Sequence, residues 1–241
     1  MSYRKPSGLF SILAFSAALF SAGAVNAAVL QLDFDVSFGD PLDPDTQQPE
    51  GPAPWMTAVF DDGDTTGSVT LTVSLASTIG IAEVTGIYLN VDDVNIGGAN
   101  LTINQTGGTG PLGSVSTGTD FVKAGADGWF DIYIDLPPPG GDRFGAGETL
   151  VFDITASGLV ASSFDFASTP DPIDPNGPFK GAAKFNSTGD GVNNCVFNPD
   201  TGKGGLGTCS DWVGVAVPVP AAVWLFGSAL GLLGWARRRT A

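Results

Sequence analysis

The chain is 241 residues long and carries 25 acidic against 10 basic residues, a net charge of −15, with no histidine and two cysteines. The missing imidazole excludes Ser-His-Asp and Cys-His catalysis and histidine-ligated zinc. So acidic a chain is also no nucleic-acid binder, because phosphate recognition needs a basic patch, and neither a glycine triplet period nor a long Ala/Glu/Lys/Leu stretch points to a fibrous protein.

In chain order, Arg4 and Lys5 precede an apolar run from Leu9 to Val25, and Val25-Asn26-Ala27 then offers the small side chains a signal peptidase accepts. The pattern predicts a secretory signal peptide over 1–27, cut after Ala27. A retained membrane helix is the competing reading, and the shortness of the run speaks against it.

The body, 28–212, is long enough for one domain with a core of its own. From Leu30 to Phe38 every even position is apolar and every odd one polar, the period of a strand with one dry and one wet face. The pattern returns at 69–75, 87–91, 101–103, 130–136 and 150–154, and more weakly at 56–60, 164–166 and 179–185. Turn-forming clusters separate these runs: Asp61-Asp62-Gly63-Asp64, Gly97-Gly98, 107–110, 137–142 and 171–177. No apolar stripe of helical period persists, so the expected fold is all-β: an antiparallel β-sandwich of six to nine strands, jelly-roll or Ig-like in outline. The stretches 39–54 and 167–178 are expected as long surface loops. Cys195 and Cys209, in an exported chain, are expected to form a disulfide closing a glycine-rich loop.

The tail, 213–241, is of another kind. Val217-Pro218-Val219-Pro220-Ala221 leads into an uncharged run over 221–236, and Arg237, Arg238 and Arg239 follow. As a helix the run reaches roughly 24 Å, just enough to cross a bilayer with arginines snorkelling at its end. The arginines stop transfer and stay cytoplasmic, which puts the body outside. The prolines hold the preceding chain extended and open to a processing enzyme. Only five basic residues fall between the two ends, against all 25 acids, so the body alone stands at −20.

This tail resembles the PEP-CTERM sorting signal, in its VPLPA-type branch: a short proline motif, an apolar span and a basic cluster, in that order at the chain end. Val219 stands where the branch usually has leucine. The resemblance implies an exported protein of an exopolysaccharide-making Gram-negative bacterium. Such a protein is tethered to the inner membrane as a precursor, is processed by a membrane protease-transpeptidase of the exosortase class, and reaches the cell surface or matrix. The runs 130–138, 142–150, 162–166, 176–185 and 210–214 are similar to a set of PEP-CTERM surface proteins without an established activity. A plain C-terminal anchor that is never cut shares the same span. A GPI signal would not end in arginines, and no L-P-x-T-G is present.

For chemistry the body offers carboxylates: 22 Asp and three Glu. Calcium takes oxygen ligands and is the one cofactor these residues suggest, with Asp61, Asp62 and Asp64 as first candidates and Asp171 and Asp174 as second. None fits an EF-hand loop, and solvated turn carboxylates are the alternative. Two carboxylates in an aromatic cleft would make a glycoside hydrolase, for which Trp55, Trp129, Tyr88 and Tyr133 could line the cleft; the same rings could bind polysaccharide without cutting it. No nucleophile elbow and no phosphate loop is present. The expectation is therefore a non-catalytic structural, adhesive or glycan-binding surface protein, with a secreted carbohydrate-active enzyme as the alternative.

Overall fold

The computed structural model describes residues 29–38, 48–111, 113–125, 128–137, 143–170, 177–186 and 210–217. They form eleven strands: β1 (Val29–Phe34), β2 (Val36–Ser37), β3 (Met56–Asp61), β4 (Ser68–Leu75), β5 (Glu83–Leu89), β6 (Thr102–Gly108), β7 (Ser114–Lys123), β8 (Trp129–Asp135), β9 (Thr149–Thr155), β10 (Phe179–Asn186) and β11 (Ser210–Ala216). Two sheets result, of order β1-β3-β4-β9-β6 and β2-β11-β10-β5-β8-β7. Every pairing is antiparallel, as expected of an all-β sandwich.

The core lies between the sheets. Leu32, Phe34, Phe60, Leu71, Val73, Phe152 and Ile154 come to it from the five-stranded sheet, and Ile87, Leu89, Ile132, Ile134, Phe185 and Val213 from the six-stranded one. In β4 the alternation is unbroken: Val69, Leu71, Val73 and Leu75 are buried, and the residues between them are exposed or half-buried. That is the period-two rule at work on a sheet with one wet face.

Four expectations shift. The described residues hold eleven strands where six to nine are expected. The run 30–38 is two strands, because Asp35 carries the chain across from one sheet to the other; its amide bonds to Gly214 O at 3.2 Å. The even residues stay apolar on both sides of the crossing, so the sequence pattern shows no seam. Phe164-Asp165-Phe166 is no strand: Ala161–Phe164 is a short 3₁₀ turn that lays Phe164 on Phe60, ring centroids 4.2 Å apart. The body also runs past 212, since β11 continues to Ala216 and buries Val213 and Val215 in the core. Its alternating V-G-V-A merges in sequence with the apolar tail.

Among the described residues no helix is long and apolar enough to cross a membrane. The signal peptide with Ala27, Pro218 to Ala221 of the proline motif, the span 221–236, Arg237 to Arg239, Cys195, Cys209, Asp171 and Asp174 all lie outside the described residues.

Candidate functional site

The outer face of the six-stranded sheet carries rings where a solvated face would carry polar side chains. Strand register builds it in cross-strand rows. One row runs Gly214, Ala182, Tyr88, Tyr133, Ser116, and the next runs Trp212, Lys184, Gly86, Asp135, Ser114. Small residues make room for the rings: a Cβ on Gly86 would stand 3.0 Å from the Tyr133 ring and 3.2 Å from Tyr88, and one on Gly214 would stand 2.7 Å from Phe179. Phe38 stacks on Phe179 at 4.4 Å, while Tyr88 meets Tyr133 at 4.8 Å, Trp212 at 5.3 Å and, edge-on, Phe130 at 6.0 Å. Phe130 is wholly buried, whereas Tyr133 and Trp212 remain half-exposed. The rim is polar: Tyr133 Oη donates to Asp135 Oδ1 at 2.9 Å, and Lys184 Nζ lies 4.9 Å from the centre of the Trp212 ring. Burial, above all, raises the pKa of both tyrosine hydroxyls, so they stay protonated donors.

Of the four aromatics expected to line a cleft, Tyr88 and Tyr133 meet in this strip. Trp129 lies under Lys123, whose Nζ is 4.7 Å from its ring centre. Trp55 is part of the inter-sheet core and donates Nε1 to Gly51 O at 3.1 Å. Sequence reasoning passed over Phe38, Phe130, Phe179 and Trp212, since strand aromatics read as inward-facing wherever the alternation is not tied to a known face.

Asp61, Asp62 and Asp64 form the β3–β4 turn, with both Gly63 and Asp64 at positive φ. Their carboxylates hold the chain. Asp61 Oδ1 accepts from Gly63 N at 2.8 Å and Asp62 Oδ1 from Asp64 N at 3.0 Å. Asp62 Oδ2 accepts from Ala161 N at 2.9 Å, tying the turn to the 3₁₀ segment. This is the local side-chain-to-backbone bonding for which aspartate is favoured in turns.

The carboxylates that converge are different ones. Asp93, Asp120 and Asp131 bring an oxygen each within 4.8 Å of one another, although they come from a loop, from β7 and from β8. The β7–β8 register shifts between Thr117 and Val122, and within that irregular stretch the Asp120 amide meets Asp131. Asp131 is 2% exposed and accepts from Asp120 N at 2.8 Å and Val91 N at 3.1 Å. Burial is the main reason that its pKa rises to about 6, with the charges of Asp93 and Asp120 adding to it. Asp93 is raised too, first by burial and then by Asp120. The spacing of these three in sequence gives no sign of their meeting.

No protein-family model matches the chain, and no curated protein or solved structure matches it either. The class is accordingly set by fold and surface: an all-β protein of two antiparallel sheets, with a ring-lined outer face and a buried acidic group.

Proposed function

We propose that this is an exported, non-catalytic surface or matrix protein, sorted through its tail by an exosortase-type membrane enzyme, whose sandwich serves a structural, adhesive or glycan-binding role. One observation carries the reading. The last of the described strands ends at Ala216 and the Val217-Pro218-Val219-Pro220-Ala221 motif begins at the next residue, so removal of the chain beyond the motif leaves every described strand in place. Folding unit and disposable segment meet without overlap.

For the role of the body, the half-exposed Trp212 and Tyr133, with the polar rim of Asp135 and Lys184, are the features of a surface that stacks on sugar rings. Partners are the processing enzyme, the inner membrane before sorting and a neutral or cation-bridged exopolysaccharide afterwards, because a body at −20 repels anionic polymers. Of the two outlines expected, the nested pairing of β4 with β9 and of β5 with β8 favours the jelly-roll. A glycoside hydrolase has Asp131 as its best acid, with a pKa near 6. Both oxygens of that carboxyl meet backbone amides rather than the aromatic strip, which favours the non-catalytic reading.

The test is the intact mass of the protein recovered from the cell surface. The expected form starts at Ala28 and lacks the chain beyond about Ala221. A surface form that retains Arg237 to Arg239 would reduce the tail to a plain anchor.

A further inference from the structure

The chain between sandwich and span is short. Val215 is still in the core, the motif begins at Val217 and the apolar run at Ala221. Residues 217–220 therefore reach at most roughly 14 Å when fully extended. Anything that cuts there has to stand against the sandwich around Ala216.

Ala216 itself lines a groove of about 420 Å³. Asp35 is where the chain changes sheets, and its amide bonds to Gly214 O of β11. Leu30 and Val215 supply the apolar lining of the gap, Asp33 and Asp35 its charge, and Lys180 is tied to Asp165. Asp33 and Asp35 are exposed. Among the described residues β1 pairs with β3 alone, so its other edge is open. Such an edge accepts an extended segment through main-chain hydrogen bonds.

We propose that this groove is the docking surface for the membrane-embedded enzyme that processes the tail, and that the enzyme brings a basic rim to Asp33 and Asp35. The proposal rests on the sorting reading above and names the part of the body that reading requires. Reach keeps the enzyme close to this face, and two exposed carboxylates that form no ion pair among the described residues select a cationic protein surface over anionic lipid headgroups.

The experiment follows tail removal by intact mass in the native host, using full-length protein. It compares the wild type, Asp33→Lys/Asp35→Lys, and both again with a Gly/Ser insert of about twelve residues between Ala216 and Val217, which adds a reach of roughly 19 Å. With the native junction the double variant is expected to lose its tail on the order of tenfold more slowly than wild type. With the insert it should match wild type, which also shows that the variant folds and is exported. Asp33→Asn/Asp35→Asn should move the same way by less. Equal rates at the native junction overturn the proposal, and so does a slowing that the insert leaves untouched. A wild-type tail that is never removed overturns the sorting reading itself, a result that cannot be confused with the other two.

Discussion

On the five-stranded sheet the outward row Gln31, Val59, Thr72, Val151 mixes polar and small apolar side chains, and the row Thr70, Asp153, Asn104 is wholly exposed. On the six-stranded sheet the matching rows carry Tyr88, Tyr133 and Trp212, with Phe38, Phe130 and Phe179 packed beside them. One sheet has a single dry face and the other is dry on a good part of both. The difference is visible strand by strand: β4 alternates cleanly, while β5 buries Gly86, Ile87, Tyr88 and Leu89 in succession. A period of two reports a half-wet strand, and it loses its meaning where both faces are covered.

The six-stranded sheet should therefore be the more sensitive of the two, and most of all at β11, which stands between β2 and β10. A chain ending after Trp212 lacks the buried Val213 and Val215, half of the register pairs between β10 and β11 and both of those between β11 and β2. Each valine contributes about 1.5–3 kcal/mol, against a total of about 5–15 for a domain. Residues 28–212 are expected to show no cooperative thermal transition, whereas residues 28–217 melt as one unit. Equal melting of the two fragments would mean that β11 is not part of the folded body.

The next contrast is between outer faces. Phe130→Ala removes a ring that is wholly buried on the side of the sheet away from the main core, and a loss of about 3–5 kcal/mol is expected. Thr70→Ala, on the exposed face of β4, should stay within about 0.5 kcal/mol. Denaturant midpoints decide it. A Phe130→Ala cost as small as that of Thr70→Ala would turn the aromatic face into an ordinary solvated one.

Much of this was legible in the residues. Strands β3, β4, β8, β9 and β10 fall within a residue or two of the alternating runs, because their inward side chains are regularly apolar. β7 was not legible: Ser114–Lys123 has only Val115, Phe121 and Val122 as large apolar residues, and as an edge strand it needs few. The seam at Asp35 left no mark, since alternation says which residues are dry but not which sheet dries them. The acids followed the same logic. Asp61, Asp62 and Asp64 were visible as neighbours, and turn bonding to nearby amides is what neighbouring acids do. Asp131 and Asp135 occupy equivalent polar positions of the alternating run 130–136, yet Asp131, beside a register irregularity in the adjoining strand, is buried and Asp135 is exposed.

That pair of acids yields the smallest of the expected effects and the most specific. Burial lifts Asp131 from 3.8 to about 6, so the native state keeps a proton that the unfolded chain has already released. The contribution of Asp131 to stability is then greatest below about pH 4, falls as pH rises to about 6, and is flat beyond, by an amount on the order of 3 kcal/mol. Asp131→Asn removes that slope. Its single carbonyl oxygen serves one of the two amides from Val91 and Asp120, a loss of about 1–3 kcal/mol. The variant should be the less stable at pH 4 and equal to or above wild type at pH 7, so the two curves of midpoint against pH cross. Parallel curves would show that Asp131 ionises as a surface carboxyl does. The same series in calcium and in EDTA separates a structural group from a cation site. A divalent ion held by Asp93, Asp120 and Asp131 would keep Asp131 ionised, erase the wild-type slope and raise the midpoint. With both oxygens of Asp131 already committed to backbone amides, the expected result is one slope in either buffer.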